Sequence, residues 1–223
     1  MAILIYMLGV YLFSEFVMLK IEDLMKDGRL VTGTTTLAMV VENAVVVATE
    51  SQATAGYLVA TKNAQKLFQI SDHAAATISG GVADCQYIID MTKAQVRLRE
   101  VEREAEPPLR WIANIVRNML FNGRSFYLSM MLVVGYDTRE ESPKIYGVDL
   151  IGSLFEEDEY MAFGSGSTFA LGVLEGNYSK DMSVEDAIEL ARRAITAAKN
   201  RDIASGSKIQ LAVVDEDGFR QVE

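Results

Sequence analysis

Two runs of β-branched and small apolar residues, Thr34–Val41 and Ala44–Thr49, stand end to end with only Glu42-Asn43 between them. Branched side chains suit a pleated strand better than a helix, and a two-residue polar gap between such runs signals an antiparallel hairpin. Lys66–Ile70 and Ala75–Ser79 repeat the pattern across a Ser71-Asp72-His73 turn, and Gly80-Gly81 ends the second run. Ala83–Glu104 is then rich in helix formers, with Ile88, Met91, Gln95, Leu98 and Glu102 at three-to-four spacing. Pro107-Pro108 breaks that helix, and Leu109–Phe121 restarts one with Trp111, Ile115 and Met119 near one face. Met130–Tyr136, Lys144–Leu150 and Tyr160–Ala162 read as strands, and Gly164-Ser165-Gly166-Ser167 opens a helix through Leu174. Ser183-Val184-Glu185-Asp186 reads as an N-cap with acids in the first turn of a helix to Asn200. Ile209–Val214 and Phe219–Val222 close the chain around an Asp217-Gly218 turn. Strands and helix pairs in this order predict an α+β fold: one domain, four layers αββα, with two packed antiparallel sheets between helix layers.

A length of 223 residues suits one such domain. The formal charge of −10 argues against nucleic acid as a partner, because phosphate binding needs a basic surface. Cys85 is the one cysteine, which excludes an internal disulfide and fits a reducing, cytoplasmic compartment. Cys85 reads as a small buried residue, without a basic neighbour in sequence to lower its pKa. His73 is the one histidine and lies in a polar turn, where it reads as a surface residue. A His-rich metal site is therefore not expected, nor a cofactor, and any catalytic base should be something other than imidazole.

Met1–Phe13 is an unbroken apolar run. As a helix it would reach about 20 Å, short of the ~30 Å hydrocarbon thickness of a bilayer. It lacks the preceding positive charge of a secretory signal. A removable propeptide, lengthened by an early start with Met18 and Met25 as alternatives, is the leading reading. A short membrane-associating segment and an export signal stay open beside it.

The distinctive stretches are Val31-Thr32-Gly33-Thr34-Thr35-Thr36-Leu37, Lys62–Ile70, and Arg201-Asp202-Ile203-Ala204-Ser205-Gly206. Singly they read as a Thr-rich strand, a solvated lysine and a helix-ending turn. Gly33 leaves the peptide carbonyl before Thr34 open to attack, since it carries no side chain. Together with Ala48-Thr49-Glu50, Ile78-Ser79-Gly80-Gly81 and Gly164-Ser165-Gly166-Ser167, these blocks resemble the archaeal-type catalytic β subunits of the 20S proteasome, which are N-terminal-nucleophile hydrolases. The resemblance runs from Thr34 to the C-terminus, with the motifs in family order and at family spacing.

The resemblance implies a propeptide over residues 1–33 and a mature catalytic domain over 34–223. Thr34 would become the nucleophile once the Gly33–Thr34 bond is cut, and its new α-amine would be the base. Such an amine titrates at roughly 7.7–8.0 when unperturbed, close enough to neutrality for proton transfer. Lys66 matches the family's essential lysine, Glu50 its acidic partner, and Asp202, Ser205 and Ser165 the residues around the threonine amine. Gly80 matches the residue whose N–H stabilises the oxyanion. Ala53, Ala64 and Ile78 match the lining of the substrate pocket, which implies a roomy apolar pocket and chymotrypsin-like preference. The partners implied are proteasome α subunits and other β subunits in heptameric rings forming a four-ring stack, a regulatory ATPase, and unfolded protein substrates. An unprocessed, silent structural ring subunit is the alternative. A bacterial two-component threonine protease with hexameric rings, which Ser51-Gln52-Ala53-Thr54 faintly resembles, is a third. The chain departs from the family pattern at Ser207, where most members have a second glycine, at Phe163, where many have a small or β-branched residue, and in its apolar leader.

Overall fold

A computed structural model describes residues 33–223; the proposed propeptide, apart from Gly33, lies outside the described residues. One sheet is formed by β1 (Thr36–Val41), β2 (Ala44–Glu50), β10 (Tyr160–Phe163), β11 (Ile209–Asp215) and β12 (Gly218–Gln221), in the order β10-β1-β2-β11-β12. The other contains β5 (Leu67–Ser71), β6 (Ala74–Gly80), β7 (Ser129–Asp137), β8 (Ser142–Val148) and β9 (Leu154–Glu157), in chain order. All pairings are antiparallel. The helices are α1 (Val82–Arg103), α2 (Leu109–Asn122), α3 (Ser167–Glu175) and α4 (Val184–Lys199). Among the described residues no helix is long and apolar enough to cross a membrane.

Alternation along β1 explains both the continuous apolar run and the layering. Leu37, Met39 and Val41 face a core shared with Ala170 and Leu174 of α3 and Leu190, Ala194 and Ile195 of α4. Ala38 and Val40 face the opposite way, into a core shared with Leu132 and Val134 of β7 and Ile145 of β8. A third core joins Ile78 of β6 and Met131 of β7 to Ile88 of α1 and Ile112 of α2. With successive side chains on opposite faces, a strand buried on both faces has to be apolar throughout. The result is the four-layer αββα sandwich anticipated from the order of elements.

Several details differ from expectation. Ala53–Ala55 and Leu58–Thr61 form a short hairpin, β3-β4, and β9 completes the second sheet; none of the three was anticipated. The buried face of α1 is Cys85, Ile88, Ile89, Thr92 and Val96, which leaves Met91 and Leu98 exposed. The spacing argument had found a stripe displaced from the true one, because the α1 sequence is only weakly amphipathic. Phe163, the bulky departure, stacks against Gly147 of β8, where a Cβ would come within 2.9 Å of its ring. Cys85 is buried, its Sγ–H reaches Ser129 Oγ at 3.1 Å, and burial pushes the thiol up to about 11.

His73 does more than fill a turn. Its N–H donates to Glu106 Oε1 at 2.9 Å, Nδ1 lies 2.7 Å from Glu106 Oε2, and Nε2 lies 3.1 Å from the Glu216 carbonyl. It thereby clips the β5–β6 turn to the α1–α2 connection and to the β11–β12 turn. Only the protonated ring donates from both nitrogens. Partial burial would lower its pKa, but the Glu106 hydrogen bond and the Glu216 carbonyl outweigh that and raise it. A raised folded pKa adds stability that is fully present below the unfolded value of about 6.5 and lost as pH rises through the folded value. Thermal melts of the chain should show this loss as pH rises above about 6.5, and Glu106→Gln should flatten it. An unchanged pH dependence in that variant would show that the clip contributes nothing.

Candidate active site

The antiparallel registers bring six chain segments to one end of the sandwich. Thr36 pairs with Thr49 and Phe163, Gln210 pairs with Thr49, and Ile209 pairs with Glu50. Thr34 and Thr35 therefore lie just before β1, beside the end of β2 and the start of β11. Across the sandwich, the Thr36 hydroxyl donates to Thr77 Oγ1 on β6, and Lys66 stands immediately before β5.

Thr34 is almost fully buried, and its hydroxyl donates to the Gly33 carbonyl at 2.7 Å. Lys66 Nζ donates to Thr34 Oγ1 at 2.8 Å and approaches the Gly33 carbonyl oxygen at 3.4 Å. Its third partner is Glu50 Oε1, in a very short ion pair. Glu50 is fully buried, and its second oxygen accepts the N–H groups of Gln52 at 2.6 Å and Gly206 at 3.0 Å. A buried carboxylate is tolerable only with such complete pairing. Burial pushes the Lys66 ammonium below the usual lysine range, against the opposing pull of Glu50. The same burial pushes the Glu50 carboxyl up, against the pull of Lys66.

A second network surrounds the Thr34 nitrogen. Its N–H donates to Ser165 Oγ at 3.2 Å, and the Ser165 hydroxyl donates to Asp202 Oδ2 at 2.6 Å. Ser205 Oγ donates to the same carboxylate oxygen at 2.5 Å and lies 2.7 Å from Thr35 Oγ1. With the Ser205 proton committed to Asp202, the Thr35 hydroxyl is the donor in that last bond. Asp202 Oδ1 accepts the Ala204 N–H at 3.2 Å, which holds the loop in shape.

Two glycines are required by space. A Cβ on Gly33 would lie 1.8 Å from Ala204 Cβ and 2.8 Å from Ser165 Oγ. Gly80 has φ +127°, and a Cβ there would lie 2.2 Å from the Leu128 carbonyl oxygen. Ser207, the expected glycine, adopts φ +68°, a left-handed conformation that glycine holds with less strain.

The cleft beside the Thr34 hydroxyl is lined by Gly33, Thr34, Ala53, Thr54, Lys66, Ile78, Gly80 and Val82. Of the residues marked in the sequence, Ala53, Ile78 and Gly80 line this cleft together with Thr34 and Lys66. Ala64 does not line this cleft; its N–H donates to the Ser51 carbonyl and its own carbonyl accepts from Gln210. Thr54 and Val82 line it instead, and neither was expected in the pocket. Gln52 was missed as well, although its amide ties Thr54 Oγ1 to the Ile203 carbonyl. Among the described residues no three His, Cys, Asp or Glu side chains converge on a metal-sized space.

The family model for proteasome subunits matches residues 30–214. This chain belongs to the proteasome subunit family. It is 40% identical over 197 residues to proteasome subunit beta 2 of Aeropyrum pernix, covering 87% of this chain and 88% of that protein. Against proteasome subunit beta of Archaeoglobus fulgidus it is 41% identical over 198 residues, with 88% and 92% covered. Against the Picrophilus torridus proteasome subunit beta it is 44% identical over 190 residues, with 84% and 89% covered. The resemblance to archaeal β subunits thus covers 84–88% of the chain.

Breaking the buried pair should be more harmful than removing it. Lys66→Met strands the Glu50 carboxylate and should cost about 3–5 kcal/mol in chemical denaturation. The double variant Glu50→Gln/Lys66→Met, which leaves no buried charge, should recover most of that loss. Additive losses in the double variant would show that the two groups are not coupled.

Proposed function

We propose that this chain is the precursor of a threonine-type endopeptidase subunit, in which Thr34 is the nucleophile and residues 1–33 are removed autocatalytically. The observation that carries this reading is the contact of one ammonium, Lys66 Nζ, with both the Thr34 hydroxyl at 2.8 Å and the carbonyl oxygen of the bond to be cut at 3.4 Å. A cation between an attacking oxygen and the oxygen that will gain negative charge favours both partners of the reaction.

In the precursor, Thr34 Oγ1 adds to the Gly33 carbonyl carbon, and the hydroxyl proton passes to the departing Thr34 nitrogen. The C–N bond breaks and an ester links Gly33 to Oγ1. Water then hydrolyses that ester, releasing Gly33 as a carboxylic acid and leaving Thr34 with a free amine. The amine is born beside Ser165 and, through it, Asp202. From there it can accept the Thr34 hydroxyl proton when a substrate peptide is attacked and return a proton to the leaving amine. The second half repeats the hydrolysis of an ester, now of the substrate's acyl group. Lys66, held by Glu50, stabilises the charge on Oγ1 throughout, and the Gly80 N–H stabilises the oxyanion.

The mature domain is residues 34–223, and it works in heptameric β rings stacked with α rings, in the cytoplasm. An ATPase supplies unfolded chains. The apolar cleft walls, Ala53, Ile78 and Val82, support hydrolysis after hydrophobic residues, the chymotrypsin-like preference. Val82 in place of Ala64 makes the pocket narrower than a lining of Ala53, Ala64 and Ile78 would be.

Co-expression with the α subunit and intact-mass measurement test the reading directly. The expected mass begins at Thr34, whereas an intact Gly33–Thr34 bond in the assembled particle would leave only a structural subunit. Thr34→Ala should abolish both processing and peptide cleavage. Gly33→Val, which has no room beside Ala204 and Ser165, should retain the leader; normal processing of that variant would show that the close packing is dispensable.

A further inference from the structure

Lys66 is gripped at its head by Glu50 and Thr34, but its backbone lies in Lys62–Lys66, a stretch outside any strand. Both Lys66 N–H and Leu67 N–H point at one acceptor, Gln210 Oε1, at 2.9 and 3.0 Å. The other end of the same amide, Nε2, donates to the Ala64 carbonyl at 2.8 Å. Two N–H partners on one side and a carbonyl on the other fix which amide atom is oxygen. A single half-buried side chain thus satisfies three backbone groups within four residues, all at the approach to β5.

Gln210 belongs to the opposite sheet. It lies on β11 across from Thr49, one position from the pairing of Ile209 with Glu50. The β2–β11 register therefore sets two things together: the depth of the carboxylate that holds the Lys66 ammonium, and the depth of the amide that holds the Lys66 backbone. Lysine has a flexible four-carbon stem, so gripping the ammonium alone leaves the stem free to bend and the segment free to drift. Fixing both ends leaves Nζ one position, 2.8 Å from Thr34 Oγ1.

We propose that Gln210 is a positioning residue for catalysis, a brace between the sheets that sets the distance from Lys66 to the Thr34 hydroxyl. This rests on the protease reading above. The brace acts through acceptance of the two N–H groups, and it has no contact with the reacting atoms.

The test uses the full chain assembled with its α subunits, with Gln210→Met and Gln210→Glu beside the unsubstituted protein. Methionine keeps the bulk and loses the acceptor, whereas glutamate keeps an acceptor oxygen for both N–H groups. Gln210→Met should lower kcat roughly ten- to a hundredfold at nearly constant KM, since small misplacements of catalytic groups have effects of that order. It should also slow removal of the leader and speed amide hydrogen exchange at Lys66 and Leu67, with assembly unchanged. Gln210→Glu should recover a substantial part of kcat, because its carboxylate still accepts both N–H groups although it cannot donate to the Ala64 carbonyl. Unaltered kcat or unaltered exchange in Gln210→Met would overturn the proposal, as would a loss in Gln210→Glu equal to that in Gln210→Met. A fall in kcat that only tracks disassembly would overturn it too. If the unsubstituted particle is uncut and inactive, the protease reading fails instead, and exchange at Lys66 and Leu67 alone decides whether the brace exists.

Discussion

The ion pair between Glu50 and Lys66 is the contact around which this end of the molecule is organised. Neither side chain has appreciable access to water. Glu50 would be untenable without Lys66, and also without the Gln52 and Gly206 N–H groups on its other oxygen. The end of β2, the approach to β5 and the loop after α4 therefore have to arrive together. Two apolar residues could fill the same volume without the desolvation penalty. What they could not supply is a cation against Thr34 Oγ1, and that is the physical reason for placing a charge here.

The two networks divide the work around Thr34 by atom. The pair of Glu50 and Lys66 addresses the hydroxyl and the preceding carbonyl, whereas Ser165, Asp202 and Ser205 address the nitrogen. They come from different layers: Lys66 from the sheet that carries α1 and α2, and Ser165 and Asp202 from loops flanking α3 and α4. Packing between the sheets, not any local turn, sets how the hydroxyl sits relative to the nitrogen's surroundings. Pairing of Thr36 with Thr77 across the sandwich holds that relation at the first residue of β1.

Much of this was legible in the chain. The runs at Thr34–Val41 and Ala44–Thr49 announced a hairpin, and the order of strands and helix pairs announced four layers. Comparison of motif blocks pointed to Thr34, Lys66, Glu50, Asp202, Ser165 and Ser205, which the fold gathers within hydrogen-bonding reach of one another. Short or exposed elements were not legible. Residues Leu58–Thr61 of β4 are exposed, so no burial pattern marks them, and α1 carries too even a mixture of residues for spacing to reveal its inner face. Ala64 was assigned to the pocket by sequence position, which cannot tell a pocket wall from a residue whose backbone groups bond to Ser51 and Gln210. The roles of Gln52 and Gln210 were not legible, since a neutral amide looks like any surface residue until its partners, which for Gln210 lie more than a hundred positions away, are known.

The burial of Cys85 has a practical meaning beyond packing. Its thiol is the one in the chain, lies in the first turn of α1 against Ser129 of β7, and is held protonated by burial. A thiol reagent therefore finds no target on the closed molecule and reacts only when α1 lifts from the sheet. The rate of labelling is then a clock for that opening, with no probe to install and no second site to confuse it.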